Sequence, residues 1–353
     1  MDNNLIELNF LSIFALLTFF IFLIVKNFSY KLKNGILLDK DFSKPQAFHK
    51  EPISRCGGLA SIISLLLFFV IYYLLFSEIM YEYIFISTSL FFIGYLDDIK
   101  IKINPNLRLL LMIIFLVIFI NILPIKISNI DLIFLTPLLE NQFFSTIFIL
   151  LCFLFIVNGA NLIDGFNGLL AINLIIINSI LLFINLDNDQ FQFSVFLIAQ
   201  IIILLSFLLF NFPKAKIFYG DSGSYLMGAL IALNVIFTNN LNPKISSFFF
   251  CIILFYLFFE VFFSFIRKTC QNKSPVFPDN EHLHMLSYRI INQFFNEEKS
   301  NYVNSIVINA IFLSLIFPTV FFADNGKLCK YWFFSLILIY TLFYFRLYRL
   351  TKN

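Results

Sequence analysis

The sequence predicts an all-α polytopic membrane protein, with about 11 transmembrane helices in a single domain over residues 1–353. Composition is the first reason. Of the residues, 60% are hydrophobic and only 13% charged, where a soluble domain is about half apolar and about a quarter charged. The second is length: apolar runs recur at about the 20 residues that a helix needs to cross hydrocarbon. The third is the placement of charge, which becomes one-sided once the runs are alternated across a membrane.

With that ruler the spans fall near 8–25, 58–76, 83–96, 107–123, 143–157, 168–186, 192–210, 223–238, 246–266, 303–323 and 331–345. The first run has acids before it, Lys after it and no small-residue cleavage site, so it reads as a retained helix. Segment 130–139 is apolar but short and interrupted by Pro137, which predicts a re-entrant or surface piece. The short run 143–157 is expected to continue as helix into the Asn-rich stretch that follows. With the N-terminus outside and the C-terminus cytoplasmic, 20 of the 24 basic residues lie inside, leaving only Lys126, Lys244, Lys327 and Lys330 outside. The long polar loops 26–57 and 267–302 also fall inside, so function is expected on the cytoplasmic face. Five Cys are scattered without metal or disulfide spacing, and the many Phe, Ile and Asn read as compositional bias.

Polar clusters interrupt this pattern at a few places. Residues 158–169 read NGANLIDGFNGL between two spans, and unpaired amides and carboxylates in hydrocarbon are costly. If the segment is helical, Asn158, Asn161 and Asp164 share one face, and their oxygens are of the hard type that Mg²⁺ takes. Asp97 and Asp98 end the third span. Adjacent carboxylates repel unless a cation or a basic partner is close; a solvated helix end beside Lys100 and Lys102 is the alternative. Gly220, Asp221, Ser222, Gly223 and Ser224 open the eighth span after Phe218. Backbone N–H groups at a helix start can cradle phosphate, Asp221 could hold a bridging metal, and Phe218 offers a ring to a base. Asp221 or Ser222 could equally be a simple N-cap.

In 274–289, His282 and His284 stand near Asp279, Glu281 and Arg289, and Pro275 and Pro278 predict a structured loop. A lone HxH without Cys is a weak zinc signal, so contact with phosphate is preferred. His49, Lys50 and Arg55 precede Gly57 and Gly58 at the start of the second span, either as anion contacts or as ordinary positive-inside charge. Together these parts predict a Mg²⁺–diphosphate site open to the cytoplasm and to lipid.

The clusters resemble the polyprenyl-phosphate N-acetylhexosamine-1-phosphate transferases, of the glycosyltransferase family 4 type. The resemblance rests on the Asp97-Asp98 pair, the NxxNxxDGxxGL stretch from Asn158, the GDxGS stretch from Gly220 and the His-containing loop, in that order over roughly 45–290. It implies transfer of a sugar 1-phosphate from a UDP-sugar to undecaprenyl phosphate with release of UMP, in the bacterial inner membrane. Mg²⁺ is the implied cofactor, with Mn²⁺ as a substitute. The lipid bilayer is a partner, a homodimer is allowed, and no nucleic acid is expected.

Residue by residue, the resemblance makes Asp97, Asp98, Asp164, His282 and His284 catalytic and Asn161 and Asp221 metal ligands. Asn158, Asn167, Phe218, Arg55, Arg289, Gly220 and Ser222 are its substrate contacts. Three departures stand out. Asn167 replaces a second acid and cannot act as a base, Met285 takes the place of a third histidine, and the Ser54-Arg55-Cys56-Gly57-Gly58 run lacks a proline. The missing triple histidine favours the branch that starts O-antigen, common-antigen or other surface glycans. A transporter of lipid-linked sugars fits the number of spans, with Glu260 as the main charge inside one, read as a helix-breaking or groove residue; an inactive family member is the other alternative.

Overall fold

The computed structural model describes residues 3–32, 35–41, 51–101, 103–274 and 279–352. His49, Lys50, Pro275 and Pro278, which the sequence places in loops around the site, lie outside the described residues, as do Lys33, Lys44 and Lys102. The protein is an all-α polytopic membrane protein. In chain order its helices are α1 (Asn3–Lys31), α2 (Gly57–Phe76), α3 (Tyr81–Asp98), α4 (Pro105–Ile122), α5 (Thr136–Glu140), α6 (Gln142–Ile163) and α7 (Leu169–Asp187). There follow α8 (Phe191–Asn211), α9 (Gly220–Leu241), α10 (Ser247–Ile253), α11 (Phe255–Cys270), α12 (Leu283–Ile291), α13 (Glu297–Ile316) and α14 (Gly326–Lys352).

Among the described residues, nine helices are long and apolar enough to cross a membrane, or ten if α10 and α11 count as one broken span. Helix α3, expected as a span over 83–96, is not among them because it carries Glu82, Asp97 and Asp98. The expected continuous span 246–266 is instead two helices meeting at 75°. The turn falls at Leu254, where neither Pro nor Gly marks it. Glu260 therefore does not break the helix; it lies buried inside α11. Helix α6 does run through Asn158 and Asn161, and the Pro137 segment holds only the short helix α5.

Helix α9 is the centre. Its window is 83% buried, against 22% for α4 and α14 at the periphery, and it packs on α2, α3, α6 and α7. Small residues let these helices approach. A Cβ on Gly94 of α3 would strike the Asp221–Ser222 backbone, and one on Gly58 of α2 would strike Gly223. Amides bind the interior across helices. Asn234 Nδ2 donates to Asn178 Oδ1 at 3.0 Å and to Gln200 Oε1 at 2.8 Å, and Asn185 Nδ2 donates to Thr238 Oγ1 at 2.9 Å. Part of the Asn excess is thus interhelical adhesive, where an unpaired amide would be costly.

A two-residue hairpin, β1 (Leu38–Asp39) with β2 (Ile53–Ser54), is antiparallel, and Ser54 bridges in parallel to Ile217. From there Gly57 N donates to Phe218 O at 3.0 Å and Gly58 N to Tyr219 O at 2.9 Å. This ties the start of α2 to the start of α9.

Candidate active site

The site is built from helix ends. The last turn of α3, the first turns of α4 and α9 and the end of α6 meet beside the β hairpin. Asn104 and Pro105 begin α4, the Asn104 side chain accepting from Asn106 N at 3.0 Å, which places Arg108 one turn in. Gly220 begins α9 with φ +77°, a conformation that L residues avoid.

Asp98 and Asp97 have different surroundings. Asp98 is buried; its Oδ1 accepts from Asp221 N at 3.0 Å, and its Oδ2 from Ser222 N at 3.0 Å and Ser222 Oγ at 2.6 Å. A carboxylate from α3 thus caps α9, whose own preceding residue, Tyr219, supplies no side-chain cap. Neither Asp221 nor Ser222 is the N-cap. Gly220 is required by the same contact, since a Cβ there would stand 2.5 Å from Asp98 Oδ2. Asp97 is half-buried, with its Oδ2 3.5 Å from Arg108 Nη1.

Asp221 accepts from Arg108 Nη1 at 2.6 Å through Oδ2 and from Asn161 Nδ2 at 3.1 Å through Oδ1. The Asn161 amide also donates to Ser224 Oγ at 3.0 Å, and among the described residues its Oδ1 accepts no hydrogen bond. Asp164 follows α6 immediately; burial, and then Asp221 nearby, push its carboxyl well above the usual carboxylate range. Arg55 donates to Asp39 Oδ2 through Nε at 2.9 Å and Nη2 at 2.7 Å, and its Nη1 lies 3.7 Å from Asp98 Oδ1. Burial opposes its charge, but Asp221, Asp39 and Asp98 outweigh this and hold the guanidinium above its ordinary range.

A cavity of about 1360 Å³ is lined by Phe218, Gly165, Asn167, Lys214, Lys216 and Asn301 among others; none of Asp97, Asp98, Arg108, Asn161, Asp164 and Asp221 lines it, and it reaches them only through the chain neighbours Gly165 and Phe218. Asn167 lines it through backbone and side-chain bonds: its N–H donates to Asn301 Oδ1 at 2.8 Å and its Nδ2 to Pro213 O at 2.9 Å. Asn158 makes no contact to the cluster; its Nδ2 returns to Leu154 O of its own helix at 2.7 Å.

The histidines form a second, buried cluster. His282 Nδ1 lies 3.1 Å from Glu260 Oε1 and its Nε2 3.2 Å from Asp279 Oδ1. His284 Nδ1 lies 3.3 Å from Tyr256 Oη, its Nε2 has no partner among the described residues, and burial pushes the ring down to about 3. The two rings are parallel at 5.5 Å, and His284 meets Phe166 edge-on at 5.8 Å. Burial opposes the charge of Asp279, but His282, the Glu281 N–H, Arg267 and Lys268 hold its carboxyl below the usual range. Arg289 is exposed and donates to Asn280 O at 3.0 Å, apart from both clusters.

In the sequence Arg108 reads only as a positive-inside charge, Asp39 and Asn301 have no assigned role, and Glu260 reads as a helix-breaking or groove residue. Arg108 carried a signal: it is the single charge in the 18 residues of α4. Asp39 and Asn301 carried none, because their partners are distant in the chain.

Acids, guanidiniums and a helix start gathered at one place suit the handling of a diphosphate. The chain matches the model of glycosyl transferase family 4 over residues 80–239. It is 27% identical over 282 residues to the undecaprenyl-phosphate alpha-N-acetylglucosaminyl 1-phosphate transferase of Thermotoga maritima, covering 79% of this chain and 81% of that one. It is 35% identical over 153 residues to a phospho-N-acetylmuramoyl-pentapeptide-transferase of Streptococcus agalactiae, covering 40% of this chain and 44% of that one. The enzyme of that name from Bacillus subtilis matches at 30% over 201 residues, covering 52% of this chain and 60% of that one. Both matches to the pentapeptide transferases thus span less than two thirds of those proteins, and the match to the Thermotoga protein spans most of both chains. The chain is thus similar to glycosyl transferase family 4 over residues 80–239, and to a polyprenyl-phosphate hexosamine-1-phosphate transferase over most of its length.

Proposed function

We propose that this protein transfers an N-acetylhexosamine 1-phosphate from a UDP-sugar to undecaprenyl phosphate and releases UMP. The reaction takes place at the cytoplasmic face of the bacterial inner membrane, as the first membrane step of O-antigen or another surface glycan. GlcNAc is the first choice of sugar. The observation that carries this is the union of Asp97, Asn161, Asp221 and Arg108 on converging helix ends.

In the transfer, an oxygen of the lipid phosphate attacks the β-phosphorus, and the bond from that phosphorus to the bridging oxygen breaks. UMP departs with that oxygen. Asp97, half-buried and not engaged in capping, orients the lipid phosphate and takes up its proton where one is present. Asp98 holds the start of α9 and with it Asp221. Arg108 keeps Asp97 and Asp221 side by side, and Phe218 offers its ring to the uracil.

Among the described residues no group of three or more His, Cys, Asp or Glu is arranged to hold a metal ion, and both Asp221 oxygens are engaged by Arg108 and Asn161, so a hard divalent cation would have to replace those bonds. The Asp97, Asp98 and Asp221 carboxylates outnumber the Arg55 and Arg108 guanidiniums, and among the described residues the Asn161 carbonyl oxygen accepts no hydrogen bond. Asp221 and Asn161 would hold Mg²⁺, or Mn²⁺ in its place. Bound there, the ion would neutralise charge on the diphosphate and on the departing UMP.

The amides within the spans do not support a transporter. Asn178, Gln200 and Asn234 are fully buried and bonded to one another. The test incubates purified protein, undecaprenyl phosphate and Mg²⁺ with a panel of UDP-N-acetylhexosamines and measures UMP. Release with one sugar, abolished by omitting the lipid or adding EDTA, is expected. No release with any sugar from folded protein would overturn the assignment.

A further inference from the structure

Glu260 is a carboxylate 1% exposed in the interior of α11, and the transfer chemistry above gives it no task. Its surroundings are specific. Oε1 takes His282 Nδ1 at 3.1 Å and the Leu283 N–H at 3.2 Å, and Oε2 accepts from the Tyr340 hydroxyl of α14. Leu283 is the first residue of α12, and His282, in the N-cap place, makes no capping bond of its own. One acid thus fixes a histidine ring and caps the helix that carries the other histidine. Asp279 faces the opposite edge of the His282 ring at 3.2 Å, so that ring is held from both sides. The parallel His284 ring passes the constraint to Phe166, which stands between the cavity residues Gly165 and Asn167. Neither Glu260 nor Tyr340 falls within the residues matched by the family model, 80–239.

We propose that Glu260, backed by Tyr340 of the C-terminal helix, is a positioning residue for the histidine pair. It sets the ring orientation of His282 and the location of His284 at the transfer site. The kinetic part of this rests on the transfer function proposed above; the geometric part does not.

Three acceptor contacts converge on the carboxylate, which donates none. A glutamine can satisfy His282 and Leu283 through its oxygen, but it then presents NH₂ to Tyr340 and carries no charge. Glu260→Gln is therefore expected to lower kcat about ten- to a hundredfold, the size found when an outer partner orienting a functional histidine is lost, with KM for the UDP-sugar held within about twofold. Tyr340→Phe should lower kcat in the same direction by less. In a His282→Ala background, Glu260→Gln should add no further loss, since the acid acts through that ring. Unchanged kcat in Glu260→Gln, or an equal loss with and without His282, would overturn the proposal.

The chain has only 3 His, which permits a readout free of activity. In detergent-solubilised protein labelled with ¹⁵N-histidine, with signals assigned by single His substitutions, Glu260→Gln and Tyr340→Phe should both move the His282 Nδ1 signal and leave that of His49 in place. A His282 signal unmoved in both variants overturns the proposal whether or not transfer is observed. Absence of UMP release from unmodified protein, with the His282 signal moving as expected, counts against the transfer function and leaves the positioning role standing.

Discussion

Replacing Asp98 by Asn tests whether this buried acid is the cap of α9. Asp98 takes three hydrogen bonds there: Asp221 N at 3.0 Å, Ser222 N at 3.0 Å and Ser222 Oγ at 2.6 Å. An Asn retains one acceptor. With its oxygen in the place of Oδ2, both Ser222 bonds survive, but its NH₂ then faces the Asp221 N–H, and Arg55 at 3.7 Å from the former Oδ1. Donor meets donor. One charge-assisted bond is lost, worth about 1.5–3 kcal/mol. The charge at the helix start goes too, worth about 0.3–1 kcal/mol. Neutralising a buried carboxylate returns part of its desolvation cost, which offsets some of this. The expected loss is about 2–3 kcal/mol, or roughly 3–5 °C in Tm for a chain of this size. Thermal unfolding in detergent reads it, with Ser222→Ala as the graded companion, which removes only the hydroxyl bond at about 1 kcal/mol. Activity should fall further than stability, because Asp221 rides on the first turn of α9 and a shift of about 1 Å at a reacting centre costs about a hundredfold. Asp98→Asn with both Tm and UMP release unchanged would refute the capping role.

Arg108→Lys keeps the charge but loses the planar guanidinium whose Nη1 holds Asp221 at 2.6 Å and lies 3.5 Å from Asp97; UMP release should drop about tenfold, an expected cost of about 1.4 kcal/mol in the transition state. Gly159→Ala drives a methyl into the Leu257 carbonyl of α11 and should lower stability by about 1–3 kcal/mol, whereas Gly165→Ala, with open space around it, should leave Tm unchanged. His284 is pushed from its ordinary 6.5 down to about 3 by burial, so the folded ring is neutral while the unfolded chain takes a proton below 6.5. Its contribution is complete above pH 6.5 and lost as pH falls toward 3, about 2 kcal/mol by pH 5. The fall in Tm between pH 7.5 and 5 should therefore be smaller in His284→Gln than in the parent; equal slopes would contradict it.

How much of this was legible depended on whether a residue declares its task locally. Asp97, Asp98, Asn161, Asp164 and Asp221 were legible because polar residues between apolar runs must be accounted for. Their division of labour was not. Asp98 caps a helix that begins more than a hundred residues later, and no local pattern announces a cap supplied by another helix. A similar distance hid the pairing of Asn301 with Asn167, and the 16 residues between Asp39 and Arg55 carry no pattern that announces theirs. The helical continuation through Asn161 was readable from the shortness of the 143–157 run, while the bend at Leu254 had no Pro or Gly to signal it. The core amides were masked by composition: in a chain this rich in Asn, the trio of Asn178, Gln200 and Asn234 has no distinguishing sequence context.

Asp98 and Glu260 show one economy in the use of charge within the bundle. Each is a buried acid on one helix that ties down the N-terminus of another, α9 and α12 respectively. Those two helices carry Asp221 and His284, residues the site has to place accurately. A cap taken from the same segment, as at Asn104 or Asn296, fixes only where a helix starts. A cap taken from a neighbouring helix also fixes where that start lies relative to the neighbour. The N–H groups at a helix start favour a negative partner, so the cap and the helix hold each other in place. This makes the cost of burying a carboxylate intelligible here. A well-packed apolar side chain of similar volume could serve stability as well or better, but it could not specify the register between α3 and α9, on which the proximity of Asp97, Arg108 and Asp221 depends.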